Sequence, residues 1–84
     1  MTQLTLYGRE LCHLCYNMER ALADCRDKYD FELEIVDIDR DARLVAQFGS
    51  LIPVLMGGDM QICCYHLDHK ALHAYFEKLQ RRCR

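Results

Sequence analysis

The sequence predicts a single α/β domain, residues 1–84, with the element order β-α-β-α-β-β-α. Three observations support this order. Apolar and polar residues alternate near the amino terminus, recur at helical spacing, and then alternate again. A glycine turn joins two short apolar segments farther along the chain. Because a strand-helix-strand unit is parallel and a hairpin is antiparallel, we expect a four-stranded mixed sheet flanked by three helices.

The first half of the chain supplies the strand-helix-strand unit. Residues 2–7 alternate in polarity and are closed by Gly8, which predicts the first strand. Apolar residues spaced by three or four predict a helix from about Cys12 to about Lys28. Those residues are Leu14, Met18, Ala21, Leu22 and Cys25. Residues 31–39 alternate again and predict the second strand.

The second half supplies a short helix, a hairpin and a final helix. Asp41 is suited to cap the short helix, and Gly49 is suited to end it in a left-handed conformation. Gly57 and Gly58 lie between two apolar segments and predict the hairpin turn. Asp68 is suited to open the last helix. The apolar residues predicted for its buried face are Leu72, Tyr75, Phe76 and Leu79.

Composition and charge exclude several classes of function. The 11 basic and 13 acidic residues give a formal charge of -2, so nucleic acid is not an expected partner. No apolar run approaches the roughly 20 residues of a membrane span, so a membrane is not expected either. The amino terminus lacks the pattern of a secretory signal. We therefore expect a cytoplasmic monomer.

The six cysteines are the informative residues, and two of them are closely paired in Cys12-His13-Leu14-Cys15. Residues three apart on a helix have Cβ atoms about 5–6 Å apart, which is compatible with a disulfide that opens and closes. The first helical turn favours the Cys12 thiolate through unpaired N–H groups and the helix dipole. We predict that Cys12 is the nucleophile and Cys15 the resolving thiol. Arg9 and His13 are expected to add positive charge and to contribute to substrate binding.

Three segments in order carry a family resemblance: residues 4–15, Val-Asp-Ile-Asp at 36–39 and Ile-Pro-Val-Leu at 52–55. With them the chain resembles the glutaredoxin branch of the thioredoxin superfamily, and more closely a group of small glutaredoxin-like proteins with a Cys-His-Leu-Cys centre. The resemblance implies a thioredoxin-like fold and an oxidoreductase role in electron transport and cell redox homeostasis. It also implies that Pro53 is a cis-proline facing the cysteines and that the Ile52 backbone pairs with a disulfide substrate.

The expected partners follow from that chemistry. The substrate would be a disulfide-containing protein or a small thiol compound, and a thiol or dithiol reductant would regenerate the reduced centre. The glycine pair that approaches glutathione in glutaredoxins is replaced near Cys63-Cys64-Tyr65. Asp68 resembles the acidic position that helps hold glutathione. Because added side chains obstruct a backbone approach, we expect weak glutathione binding and no resident cofactor.

Two other functions stay open at this point. The thiolates of Cys12 and Cys15 are half of a tetrahedral site, so a metal or iron–sulfur carrier that recruits further ligands is one alternative. A catalytically silent binding module is the other. No metal site is predicted within the chain.

The remaining cysteines and histidines are expected to have structural or surface positions. Cys25 would pack as a small hydrophobe. Cys63 and Cys64 are adjacent on a strand and would point to opposite faces, so at most one could be an auxiliary thiol. His69 and His73 would lie on a solvated helix face, and Cys83 would lie in an exposed tail.

Overall fold

The four predicted strands form one mixed sheet. A computed structural model describes the backbone of residues 2–82 and the side chains of residues 2–79. The strands are β1 (Thr2–Gly8), β2 (Phe31–Asp37), β3 (Val54–Gly57) and β4 (Met60–Cys64). Their order across the sheet is β2-β1-β3-β4. β2 is parallel to β1, whereas β3 is antiparallel to β1 and β4 is antiparallel to β3.

Three helices connect and follow these strands: α1 (His13–Asp24), α2 (Ala42–Phe48) and α3 (His69–Arg82). The predicted element order and the mixed sheet with three flanking helices are confirmed. α1 is shorter than predicted, because a 3-10 turn over Cys25–Asp27 replaces its last part. β2 also ends earlier than the predicted 39, because a second 3-10 turn over Ile38–Arg40 replaces its last part and joins it to α2.

The caps of α2 confirm one prediction and correct another. The Asp41 carboxylate accepts the Arg43 backbone N–H at 2.9 Å, as predicted for an N-cap. The prediction of a left-handed Gly49 is wrong, because its φ is -54°. Glycine fits there for space instead: a Cβ at Gly49 would lie 2.5 Å from the Val45 carbonyl oxygen.

The core is divided between the two faces of the sheet. One cluster joins α1 and α3 to β1, with Leu4, Leu6, Leu22 and Leu72 among its fully buried members. The other cluster joins α2 to the opposite face and centres on three residues. They are Ile38, Phe48 and Val54. This division follows from the alternation of side chains along a strand, which sends neighbours to opposite layers.

The hairpin turn lies one residue later than predicted. Gly57 is the last residue of β3, and Gly58 and Asp59 form the turn. Gly58 has a φ of 61°, the left-handed conformation that glycine adopts readily. No helix within residues 2–82 is long and apolar enough to cross a membrane.

Candidate functional site

The predicted cysteine pair lies where β1 leads into α1. Cys12 is the N-cap residue of α1, and Cys15 lies in its first turn. A disulfide joins the two side chains across a Cα–Cα distance of 5.2 Å. That separation is within the ordinary range for disulfides, so the backbone geometry already suits a bond that forms and breaks.

The start of α1 orients the Cys12 sulfur. Its Sγ accepts the Cys15 backbone N–H at 3.2 Å, and its carbonyl oxygen accepts the Tyr16 N–H at 3.1 Å. Both cysteines are half-buried in this disulfide form, so burial does not separate an attacking thiol from a resolving thiol. The helix position does, because the unpaired N–H groups of a helix start stabilise negative charge on the capping sulfur.

Gly8 lies directly against the pair. A Cβ at this position would be 2.8 Å from the Cys15 Sγ, so any larger residue would displace the sulfur or the strand. Tyr7 and Val54 form the last residue pair between β1 and β3, and the residues just beyond this pair are Gly8 and Pro53. The Ile52-Pro53 peptide bond is cis, as the resemblance implied, and Pro53 is buried at this end of the sheet.

Arg9 and His13 differ in their surroundings. The Arg9 guanidinium donates to the Asp39 carboxylate at 3.0 Å, so part of its charge is compensated. Asp39 is in turn oriented by its own backbone N–H, which donates to the Asp37 carboxylate at 3.0 Å. His13 is exposed on the first turn of α1. The roles of Arg9, His13, Ile52 and Pro53 in substrate binding stay predictions.

A groove of about 740 Å³ opens beside the disulfide, between α1 and the outer strand β2. We call it the dithiol groove. Besides Gly8, Cys12 and Cys15, its apolar lining consists of Leu6, Leu11, Tyr16, Ile35, Val36 and Leu44. Its charged lining consists of Arg9, Glu10, Glu19, Asp37, Arg40 and Asp41. The groove thus brings Arg9 together with both cysteines, whereas His13, Ile52 and Pro53 are not among its lining residues.

The three exposed apolar residues of the lining were not singled out as functional by the sequence patterns. Leu11 is fully exposed and has a φ of 57°, which is uncommon for leucine. The exposed fractions of Tyr16 and Ile35 are 57% and 55%. Ile35 was expected in a buried alternation, but it lies on the outer strand where the groove opens. The sequence held one indication of this surface: Leu11, directly before Cys12, is apolar but belongs to none of the predicted buried faces.

The junction between β4 and α3 contains a second group of thiols. Cys63 packs against the cluster of α1 and α3 and Cys64 against that of α2, so the predicted opposite faces are confirmed. Burial raises the pKa of the Cys63 thiol, and the Asp68 backbone N–H partly offsets this. The Asp68 carboxylate caps α3, since it accepts the N–H groups of Lys70 and Ala71 at 3.0 and 3.1 Å.

Cys25 and the histidines of α3 have local partners. Cys25 is buried in the core, as predicted, and burial raises the pKa of its thiol. Its Sγ lies 4.0 Å from the Nδ1 of His69. The exposed His73 ring lies within hydrogen-bond distance of the Tyr29 hydroxyl and the Glu77 carboxylate, at 2.9 and 3.0 Å.

Within the residues that the structure describes, no three His, Cys, Asp or Glu side chains are grouped to hold a metal ion. Cys83, predicted as an exposed tail residue, lies outside the described residues.

Comparison with known proteins identifies similar domains. A family model described as Glutaredoxin-like domain (DUF836) matches residues 3–77. The comparison with curated proteins finds no match. The solution structure of protein Ne2328 from Nitrosomonas europaea is 38% identical with a TM-score of 0.81, and the match covers 88% of this chain and 89% of that one.

Two further solved structures extend the comparison. The X-ray structure of protein XcR50 from X. campestris is 34% identical with a TM-score of 0.70, over 89% of this chain and 96% of that one. Thioredoxin 1 from Thermosipho africanus is 14% identical with a TM-score of 0.59, over 93% and 98% of the two chains. The last similarity shows the fold alone. The predicted thioredoxin-like fold is therefore confirmed.

Proposed function

Because the chain belongs to the glutaredoxin-like domain family, we propose that it is a thiol–disulfide oxidoreductase that acts through Cys12 and Cys15. The observation that carries this proposal is the disulfide between them at the start of α1. A half-buried dithiol beside an open groove is placed to exchange with another disulfide. A purely structural disulfide would not need to lie at a helix start beside an open groove.

The reaction begins with the reduced protein. The Cys12 thiolate attacks one sulfur of a substrate disulfide, so that the substrate S–S bond breaks and the first substrate thiolate leaves and takes up a proton. The Cys15 thiolate then attacks the Cys12 Sγ of the mixed disulfide. The second substrate thiol is released, and the protein retains the Cys12–Cys15 disulfide. Two electrons and two protons pass from protein to substrate.

The assignment of roles follows from the helix start. The hydrogen bond from the Cys15 N–H to the Cys12 Sγ stabilises the thiolate more than the thiol, because a charged acceptor makes the stronger bond. Cys12 is therefore the nucleophile. Cys15 needs to reach only the sulfur beside it, so a resolving role requires little motion of the backbone.

The residues around the dithiol would position the substrate. In this proposal the Ile52 backbone pairs with the chain that carries the substrate disulfide, and the buried Pro53 keeps that segment at the end of the sheet near Gly8. Arg9 and His13 contribute positive charge near the leaving thiolate. The substituted Cys63-Cys64-Tyr65 segment supports a protein or small dithiol, rather than glutathione, as the reductant.

A single-turnover experiment tests the proposal. The reduced protein is mixed with a small aromatic disulfide, and released thiol is measured together with the oxidation state of Cys12 and Cys15 by peptide mass. We expect one disulfide to be reduced for each Cys12–Cys15 bond formed. Dithiothreitol should regenerate the dithiol faster than glutathione at equal thiol concentration.

The cysteine variants provide the matched controls. Cys12→Ser should release no thiol above background, whereas Cys64→Ser should behave as the parent protein because Cys64 lies on the opposite face. Release of thiol by Cys12→Ser at the parent rate would exclude the proposed nucleophile. Absence of Cys12–Cys15 formation in the parent protein would exclude the proposed reaction.

A further inference from the structure

The dithiol groove has an apolar lining that the fold leaves in contact with water. Leu11, Tyr16 and Ile35 are each more than half exposed, and they come from three different segments. Leu11 is the most exposed of these, and its backbone has the left-handed conformation that leucine rarely adopts. Grouped apolar surface of this kind is typical of a site that another molecule covers.

The groove is continuous with the reacting sulfurs. Cys12 and Cys15 are part of its lining, and the register of the sheet places Ile35 beside Leu6 of β1. A chain lying along the groove would therefore meet the dithiol at one end. β2 is one of the two edge strands of the sheet within the described residues, so one edge of its backbone faces no other strand. An extended chain can use such an edge.

The charges around the groove favour one kind of occupant. Four acidic side chains line it, against two basic ones. Neighbours outside the groove compensate one charge of each sign, since Arg9 pairs with Asp39 at 3.0 Å and Asp41 pairs with Arg43 at 3.7 Å. Arg20 lies with its guanidinium 5.8 Å from the Tyr16 ring centre but is not part of the lining. The lining thus has two more acidic than basic side chains, so its charge favours a basic segment over a ligand with carboxylates such as glutathione.

We propose that the dithiol groove binds the substrate itself, as an extended segment of a partner protein in which the disulfide cysteine is flanked by apolar and basic residues. This inference rests on the proposed oxidoreductase function and names its substrate class. The apolar side chains of the segment cover Leu11, Tyr16 and Ile35. Its Lys or Arg side chains lie beside Glu10, Glu19 and Asp37. Its cysteine reaches Cys12 at the end of the groove, and there the residues next to that cysteine pair with the Ile52 backbone.

Three disulfide-linked peptide dimers test the substrate class. They carry a cysteine flanked by Lys and Leu, by Glu and Leu, or by Lys and Ser. Each rate of reduction by the protein is divided by the rate with dithiothreitol, which removes differences in intrinsic reactivity. We expect the Lys-Leu dimer to exceed the Lys-Ser dimer at least about tenfold, since burying one leucine is worth about 1.5–3 kcal/mol. Its advantage over the Glu-Leu dimer should shrink at high salt.

Substitutions in the groove locate the effect. Ile35→Thr keeps a β-branched residue in the strand and should lower the preference for leucine severalfold, whereas Met60→Thr on β4 should not. Met60 is the matched control because it is also an exposed apolar strand residue. Glu19→Lys should lower the preference for lysine, whereas Glu34→Lys, outside the groove, should have little effect. Leu11→Asn introduces a polar residue that tolerates the left-handed backbone, so it should also weaken the preference for leucine.

A binding measurement separates this inference from the redox proposal. In the Cys12→Ser, Cys15→Ser double variant, titration with the Lys-Leu peptide carrying serine in place of cysteine should shift NMR signals of Leu11, Tyr16 and Ile35. Shifts confined to other surfaces would overturn the groove assignment even if the protein reduces disulfides. Shifts that change with protein concentration alone would indicate a second copy as the occupant and would also overturn it.

The reduction rates of the peptide dimers can also overturn the proposed substrate class. If the dimers are reduced at equal normalised rates, or if the groove variants and their controls behave alike, the substrate class is wrong although the oxidoreductase proposal stands. If no dimer and no small disulfide is reduced, both proposals fail. Both would fail even if the peptide still bound, because the groove would then be a binding surface and not a substrate site.

Discussion

The two junctions where a strand leads into a long helix use the same local elements to different ends. Before α1, Leu11 has a φ of 57° and Cys12 caps the helix. Before α3, Tyr65 has a φ of 67° and Asp68 caps the helix. At each junction a residue other than glycine has the left-handed conformation. The difference lies in what the side chains contact.

At the second junction the side chains are engaged within the fold. The Tyr65 hydroxyl donates to the Ser50 carbonyl oxygen at 2.8 Å, and Asp68 accepts two backbone N–H groups. At the first junction Leu11 is fully exposed, and the cap is a sulfur atom that accepts one N–H group. A thiol is a weaker acceptor than a carboxylate. The first helix start thus has a less stabilising cap and a reactive group in its place.

The largest effect that separates the junctions should come from trapping the reaction. In Cys15→Ser the mixed disulfide on Cys12 cannot be resolved, so it should accumulate to near one substrate per protein. Turnover should fall by more than about 100-fold. Intact mass under non-reducing conditions measures the adduct, and Cys63→Ser at the other junction serves as control. An adduct on Cys63 instead of Cys12 would reverse the comparison.

The second largest difference between the junctions should appear in the rates at which their thiols are labelled. Burial raises the pKa of Cys63 and of Cys25, so at neutral pH a smaller fraction of each is thiolate and both should react slowly with iodoacetamide. Raising the pH should increase both rates. Cys12 in the reduced protein should react first by at least about tenfold. Peptide mass analysis over a pH series measures this, and faster labelling of Cys63 than of Cys12 at neutral pH would contradict it.

The cap of α3 should make a smaller and purely structural contribution. Asp68→Ala removes the acceptor of two N–H groups and should lower the free energy of unfolding by about 1 kcal/mol. This corresponds to a Tm lower by about 4–8 °C for a domain of this size. Asp68→Ser retains a capping oxygen and should recover most of the loss. Equal destabilisation by serine and alanine would show that the cap is not the cause.

Substitutions of the two left-handed residues should change the free energy of unfolding least, and in opposite directions. Leu11→Gly removes an exposed side chain and relieves the backbone, so it should raise the free energy of unfolding by about 0.5–1 kcal/mol. Tyr65→Phe removes the bond to Ser50 and should lower it by about 0.5–1 kcal/mol. Denaturant titration of the oxidised proteins measures both. A loss of stability in Leu11→Gly would mean that the leucine supports the fold.

Much of this molecule could be predicted from local patterns. Alternation and helical spacing identified the strands and helices because each pattern reflects burial on one face. The pairing of Cys12 with Cys15 was predictable because their separation along the chain is only three residues. The boundary errors lie at the ends of α1 and β2 and in the hairpin turn, where capping and turn geometry compete over one or a few residues.

The sequence by itself determined the order of the elements, the division of apolar residues between two layers, and the cysteine pair at a helix start. Those features depend on neighbours along the chain. Only the tertiary structure decided that Leu11, Tyr16 and Ile35 share one groove, because they belong to separate segments that meet through the crossover of β1, α1 and β2. It also decided that Gly49 lies in close contact with the Val45 carbonyl oxygen and has a right-handed φ. The space around a residue depends on how the chain packs, and the presence of a glycine does not by itself fix the φ of that residue.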